Sequence, residues 1–155
     1  MKPFNIHSMP SEFVEIYGKG AATSTLSKLA GGKRLNVNLD VVPPGSHSTK
    51  YHAHTAQEEF FFIVSGSGVV RTPDGELPVC AGSFMAKPAG LEYAHTFRNT
   101  GDAPLEILDI ATVEESDVTY YPDEDVYLLR GRDGGASFSG ADATTDWTSE
   151  PDADG

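Results

Sequence analysis

The stretch His52–Gly66, HAHTAQEEFFFIVSG, sets two histidines one residue apart, then two adjacent glutamates, then an apolar run ending at a glycine. Imidazole and carboxylate are donors that first-row divalent metals accept. On an extended strand the side chains of His52 and His54 point to the same face, so both can share one ion. A carboxylate must reach that ion too, and strand parity alone leaves Glu58 and Glu59 both open. A straight strand from His52 selects Glu58, whereas a corner at Thr55-Ala56-Gln57 resets the parity. Farther on, His95, Phe97 and Asn99 share one strand face, and Ala94, Thr96 and Arg98 take the other.

The elements that must position these residues read as strands. From Arg34 the chain alternates, with Leu35, Val37, Leu39 and Val41 on one side and Arg34, Asn36, Asn38 and Asp40 on the other, the period of a half-buried strand. Val-Val-Pro-Pro-Gly at 41–45 stops it. Residues 59–64 form an apolar run, and Ser-Gly-Ser-Gly at 65–68 turns the chain into a strand over 69–72. Thr-Pro-Asp-Gly at 72–75 is a turn between two short strands. Further strands are expected over 83–86, 93–100 and 105–111. Glu59, Phe61 and Ile63 would share the core face, with Phe60, Phe62 and Val64 packing on the other side against a second layer or a partner subunit. Short strands at regular spacing, broken by Gly and Pro, predict an all-β sandwich or barrel.

At 155 residues the chain has room for one domain with a sizeable core. We divide it into N-terminal strands or an arm over 1–33, a barrel core over 34–113, a packing segment over 114–132 and an acidic tail over 133–155. The formal charge is -12, carried unevenly: residues 1–113 hold 11 acidic and 9 basic side chains, and residues 114–155 hold 12 and 2. Such acidity argues against nucleic acid or an anionic membrane surface as a partner. Few core formers follow Asp133, so that segment reads as a loosely attached tail, with Phe138 and Trp147 as its aromatic exceptions. Cys80 is the single cysteine, which fits a reducing compartment and excludes an intrachain disulfide. The opening residues lack the apolar core of a signal peptide, so a soluble, cytoplasmic protein is expected.

His-x-His-x4-Glu-x6-Gly (His52, His54, Glu59, Gly66) resembles the first motif of the cupin superfamily. Gly82-x5-Pro88-x-Gly90, followed by His95 and Asn99, resembles the second, and Tyr-Pro-Asp at 121–123 is similar to a feature of small single-domain bacterial cupins. The spacings from Gly45 to His52 and from Gly90 to His95 are longer than is usual, by one and two residues, in loop-like stretches. The resemblance implies a double-stranded β-helix, or jelly roll, that binds a divalent metal through His52, His54, Glu59 and His95. It also implies a homodimer. His7 and His47 match neither motif. Glu58 is then a solvated neighbour or an acceptor for a histidine N–H, and Tyr51, Tyr93 and Glu58 are the candidates for a catalytic proton donor.

Three imidazoles and one carboxylate leave about two octahedral positions for water, oxygen or substrate, and iron, manganese, nickel and zinc all suit such donors. The expected pocket lining (Phe61, Ile63, Phe84 or Met85, Phe97) is apolar, which suits a small organic ligand. Of the cations near the motifs, Arg98 falls on the face opposite His95 and Lys87 in the turn before Pro88. That leaves Lys50 and Arg71 to hold a phosphate. The leading expectation is a metal-dependent small-molecule enzyme with oxygenase-type chemistry. The alternatives are a sugar or sugar-phosphate isomerase, epimerase or decarboxylase-type cupin, and a non-catalytic ligand-binding or sensor cupin.

Overall fold

The alternation after Arg34 becomes β3 (Leu35–Val42), and the Pro-Pro-Gly that follows ends it. The computed structural model describes residues 2–131 and 134–144. Before β3 lie β1 (Val14–Tyr17), β2 (Ala21–Thr25) and the one-turn helix α1 (Leu26–Ala30). After it come β4 (His52–His54), β5 (Glu59–Ser65), β6 (Ser67–Thr72), β7 (Gly75–Cys80), β8 (Phe84–Lys87), β9 (Gly90–Arg98) and β10 (Leu105–Thr112). The chain continues through β11 (Val118–Tyr121), β12 (Val126–Gly131) and β13 (Gly134–Ser139). They form a six-stranded sheet, β1-β2-β3-β10-β5-β8, and a seven-stranded sheet, β13-β12-β11-β4-β9-β6-β7. Two mainly antiparallel layers joined by crossing connections make a jelly-roll double-stranded β-helix.

Between the sheets, Val42, Phe61, Ile63, Val70, Phe97, Leu105 and Ile107 form the buried apolar cluster, with Val79 and Met85 packed against it. The parity of β5 is the expected one: Glu59, Phe61 and Ile63 are buried, while Phe60, Phe62 and Val64 face out and are more than a third exposed. Gly66 makes the turn into β6 at φ +81, where a Cβ would lie 2.3 Å from the Pro104 carbonyl oxygen. Only glycine fits there.

Two expectations are corrected. In β3 a half-buried strand would ordinarily turn its apolar side to the core. Here register with β10 pairs Asn38 with Asp109 and Asp40 with Ile107, so Asn36, Asn38, Asp40 and Val42 take the inner face and Leu35, Val37, Leu39 and Val41 the other, where Leu39 is still buried. The tail expected from Asp133 begins instead with β13, whose residues pair with β12 from Val126↔Ser139 to Gly131↔Gly134. Backbone pairing can order such a segment even though it offers little core. Trp147 lies outside the described residues. The longer spacing before His95 is accommodated in the ladder. β4 and β9 pair at His52↔His95 and again at His54↔Gly90, so the intervening Leu91–Ala94 is a bulge, and it absorbs the longer spacing.

Asn99 fastens the end of β9 to its neighbours. It is fully buried; its Nδ2 donates to the Val42 carbonyl at 2.7 Å and the Ala103 carbonyl at 2.8 Å, and its Oδ1 accepts from the Gly101 amide at 2.9 Å. Asn99→Ala would leave buried backbone groups unpaired, and we expect a loss of about 2–3 kcal/mol in urea unfolding. A variant as stable as the parent would show that the surrounding turns hold themselves.

Candidate metal centre

The centre is assembled at one end of the interior, where β4, β5 and β9 deliver side chains from two sheets. Ligand-capable atoms of His52, His54 and Glu59 lie within 4.8 Å of one another, and all three residues are buried. Bonds of about 2.0–2.2 Å from one ion need donors roughly 3–4 Å apart, so small side-chain rotations suffice. His95 stands directly across from His52, with ring centroids 4.9 Å apart, although it falls outside that tightest group. Its Nδ1 is buried without a hydrogen-bond partner. An orphaned buried nitrogen is costly unless something takes its lone pair or proton, and an ion between these rings would do so.

The other ring nitrogens are already held. His52 Nδ1 lies 2.8 Å from the Lys50 carbonyl, and His54 Nδ1 lies 2.5 Å from Asp117 Oδ2, which leaves both Nε2 atoms for the interior. Asp117 Oδ1 also accepts from the amides of Ala56 at 2.9 Å and Gln57 at 3.3 Å. One carboxylate therefore orients a candidate ligand and fixes the corner that resets the parity in favour of Glu59. Such outer partners fix the tautomer and the ring direction of a metal-binding histidine. Burial raises the Asp117 carboxyl, but the bonds from His54 and the two amides outweigh that and hold it below the usual range. Burial, reinforced by neighbouring positive charge, pushes His95 well below the ordinary histidine value and His52 in the same direction. Neutral imidazoles are the form that binds metal.

Glu59 is 5% exposed and faces Lys87, its cross-strand partner at the end of β8. Lys87 Nζ lies 2.9 Å from Glu59 Oε2, in an ion pair outside hydrogen-bonding angles, and donates to the Gln57 carbonyl at 3.3 Å. Lys87 is thus no turn residue. Its parity in β8 matches that of inward Met85, and it is only 2% exposed.

Beside the histidines a cavity of about 620 Å³ opens, with Asn36, Asn38, Thr49, Gln57, Asp109 and Tyr121 on its walls. The apolar lining expected here is elsewhere. Phe61, Ile63, Met85 and Phe97 border a separate cavity of about 340 Å³, and Phe84 is 70% exposed at its edge. Nor do the weak proton-donor candidates enter the polar cavity. Tyr51 points to the opposite side of β4 from His52, beneath the Arg71 guanidinium at 3.9 Å; Tyr93 is exposed in the bulge; Glu58 is exposed. Arg71 and Lys50 are spoken for by Asp123 and Glu124. Asp109, Asp117 and Lys87 escape sequence reasoning because each reaches the centre only through strand register.

Asp109 is pushed up to about 8, first by burial and then by the charges of Glu59 and Asp40; Asp40 is pushed up to about 6 by burial and Glu59, against a hydrogen bond from Thr23. An unfolded aspartate titrates near 3.9, so between about pH 4 and 8 the native chain holds a proton that the unfolded chain releases. Stability therefore falls as pH rises through that window. In chelator-treated protein, Asp109→Asn should flatten this decline and be more stable than the parent at pH 8 by about 1–3 kcal/mol, read by urea unfolding. An unchanged slope would mean that the carboxyl is well solvated.

A family model described as Cupin domain matches residues 38–111, which include all four candidate ligands. The oxalate-binding protein of Thermotoga maritima is 33% identical over 69 residues, or 44% of this chain; the chain spans about half (54%) of that relative's length. A putative sugar phosphate isomerase from Acidithiobacillus ferrooxidans superposes with a TM-score of 0.81 at 26% identity, over 90% of each chain. A sugar phosphate isomerase from a cupin superfamily, of Silicibacter pomeroyi, gives 0.77 at 29% identity over 86% of this chain and 91% of its own. Two packed sheets, both histidine motifs on facing strands and likeness along nearly the whole chain agree: this protein belongs to the cupin superfamily.

Proposed function

We propose that this cupin is a metal-dependent enzyme that moves a proton next to the carbonyl of a small, oxygen-rich substrate, an isomerase-type reaction on a sugar-like compound. The observation that carries the reading is the wall of the 620 Å³ cavity. Asn36, Asn38, Gln57 and Thr49 offer donors and acceptors for hydroxyl groups where an apolar lining was expected. That change favours the isomerase-type alternative over oxygenase chemistry. The two structural relatives named as sugar phosphate isomerases support the same direction.

His52, His54 and Glu59, with His95 as the fourth donor, would hold the divalent ion, which would supply polarisation of the substrate carbonyl. Asp109 would hold or accept the moving proton, since its carboxyl is shifted toward neutral pH in the same cavity. Asn38 Nδ2 lies 3.4 Å from Asp109 Oδ2 and orients it. Among the described residues only Lys50 brings a cationic side chain to this cavity, and it is paired with Glu124 at 2.7 Å. Phosphate recognition is therefore the weaker part of the sugar-phosphate reading.

Proton NMR in D2O tests the reaction on a panel of pentoses, hexoses, sugar acids and their phosphates, with protein loaded with manganese, cobalt, nickel, zinc or iron. The expected result is metal-dependent exchange of a carbon-bound hydrogen with product formation, lost with chelator and in His52→Ala. Oxygen consumption by the iron form without exchange would replace this reading with the oxygenase one. Ligand binding with no turnover would make the protein a non-catalytic binder.

The chain is also proposed to act as a homodimer. Ile16, Leu35, Phe60, Phe62, Val64 and Phe84 are exposed on one outer sheet face, a grouping of large apolar side chains that suits an interface. Light scattering should give twice the monomer mass, and Phe62→Asp should shift it toward one. A monomeric parent protein would leave this face to another partner.

A further inference from the structure

A buried lysine inside a metal centre needs a reason. Lys87 and Glu59 are directly opposed in the β5–β8 ladder, so the ammonium approaches the carboxylate from beside it rather than from the histidine side. The second anchor, the Gln57 carbonyl at 3.3 Å, lies on the corner that Asp117 fixes. Gln57 in turn donates from its side chain to the Thr112 carbonyl at 2.8 Å, so the corner is tied to β10 as well. The ammonium thus has one anchor, the Gln57 carbonyl, that does not belong to the cluster.

Its charge then matters. A divalent ion on neutral imidazoles and one carboxylate leaves a centre of about +1; with Lys87 beside that carboxylate the sum returns to about +2. Asp117 sits behind His54, on the far side of that ring from Glu59, so its charge offsets this excess only in part. In a buried site such an excess is strongly felt.

We propose that Lys87 is a specificity-determining residue: the counter-cation of Glu59 that makes the loaded cavity select a small carboxylate, of the hydroxy-acid or sugar-acid class, over a neutral ligand of the same shape. This rests on the metal centre proposed above and narrows its substrate class. Arg71 and Lys50 do not serve in this role: Arg71 lies outside the cavity beside the histidines, and Lys50 is exposed and paired with Glu124.

The test uses full-length protein loaded with Co2+, whose visible absorption reports the ion's surroundings, titrated with glycolate and with its neutral isostere glycolamide. The parent protein should bind glycolate about tenfold or more tightly than glycolamide, and Lys87→Met should lose that preference while binding Co2+ itself about tenfold more tightly. Equal affinities of the parent for the two ligands would overturn the proposal, and this measurement stands even where the variant fails to fold. So would a Lys87→Met protein that keeps both the preference and the parent's Co2+ affinity. Parent protein that takes up no Co2+ would overturn the metal centre and this inference together; Co2+ uptake with an unchanged variant overturns only the role of Lys87.

Discussion

The arrangement turns on one buried carboxylate. Glu59 begins a strand whose other inward residues, Phe61 and Ile63, are core, and it is almost sealed from water. An unpaired carboxylate in that position would cost several kcal/mol. The fold meets the cost through Lys87 across the β5–β8 ladder; His54 Nε2, 3.9 Å from Glu59 Oε1, stands too far off to hydrogen-bond. Everything that fixes the parity of β5 therefore also fixes the centre, including the corner at 55–57, Asp117 beneath it and the Gly66 turn at the far end.

The interior is divided accordingly. One half is apolar, formed by Phe61, Ile63, Phe97, Leu105 and Ile107; the other is polar, and its polarity comes from the side of β3 that a half-buried strand would ordinarily expose. Asn36, Asn38 and Asp40 face inward because β3 pairs with β10 in the register that sets Asn38 opposite Asp109. The apolar side of the same strand takes the outer face of the sheet, which it shares with Phe60 and Phe62 across β10, with Leu39 alone buried there. A ligand cavity and an apolar outer face are thus two results of one register choice, since a shift of one residue would exchange them.

That choice marks the limit of what the sequence discloses. The strand positions, the Gly and Pro turns and the set His52, His54, Glu59 and His95 are legible because their signals are local: period-two alternation, punctuation and short motifs. Lys87 looked like a turn residue because it precedes Pro88, and nothing local says that β8 runs on to pair it with Glu59. Asp109 stands in an apolar strand as one acid among Ile and Leu. Asp117 belongs to an acidic run whose composition suggests solvent. Each acquires its role from a cross-strand neighbour remote in sequence, and propensity carries no information about register. The Leu91–Ala94 bulge is the same case, a departure in spacing visible in the sequence whose resolution is visible only in the ladder.

The acidity of the C-terminal segment is likewise more than a solvated charge run. Asp117, Asp123 and Glu124 meet His54, Arg71 and Lys50, three partners on or next to the strands that carry the histidines. The two exposed pairs among these are screened by water and contribute little, so they do not hold the segment down. The ladder does that, through β11 against β4 at Thr119↔His54 and Tyr120↔Ala53. What the charges add is discrimination. A slip of β11 along β4 would carry Asp117 away from His54 and expose the buried ring nitrogen it satisfies, and it would part both outer pairs at once. Contacts too weak to stabilise the segment can still select its register, and that register brings Tyr121 and Val126 to the cavity wall beside His52.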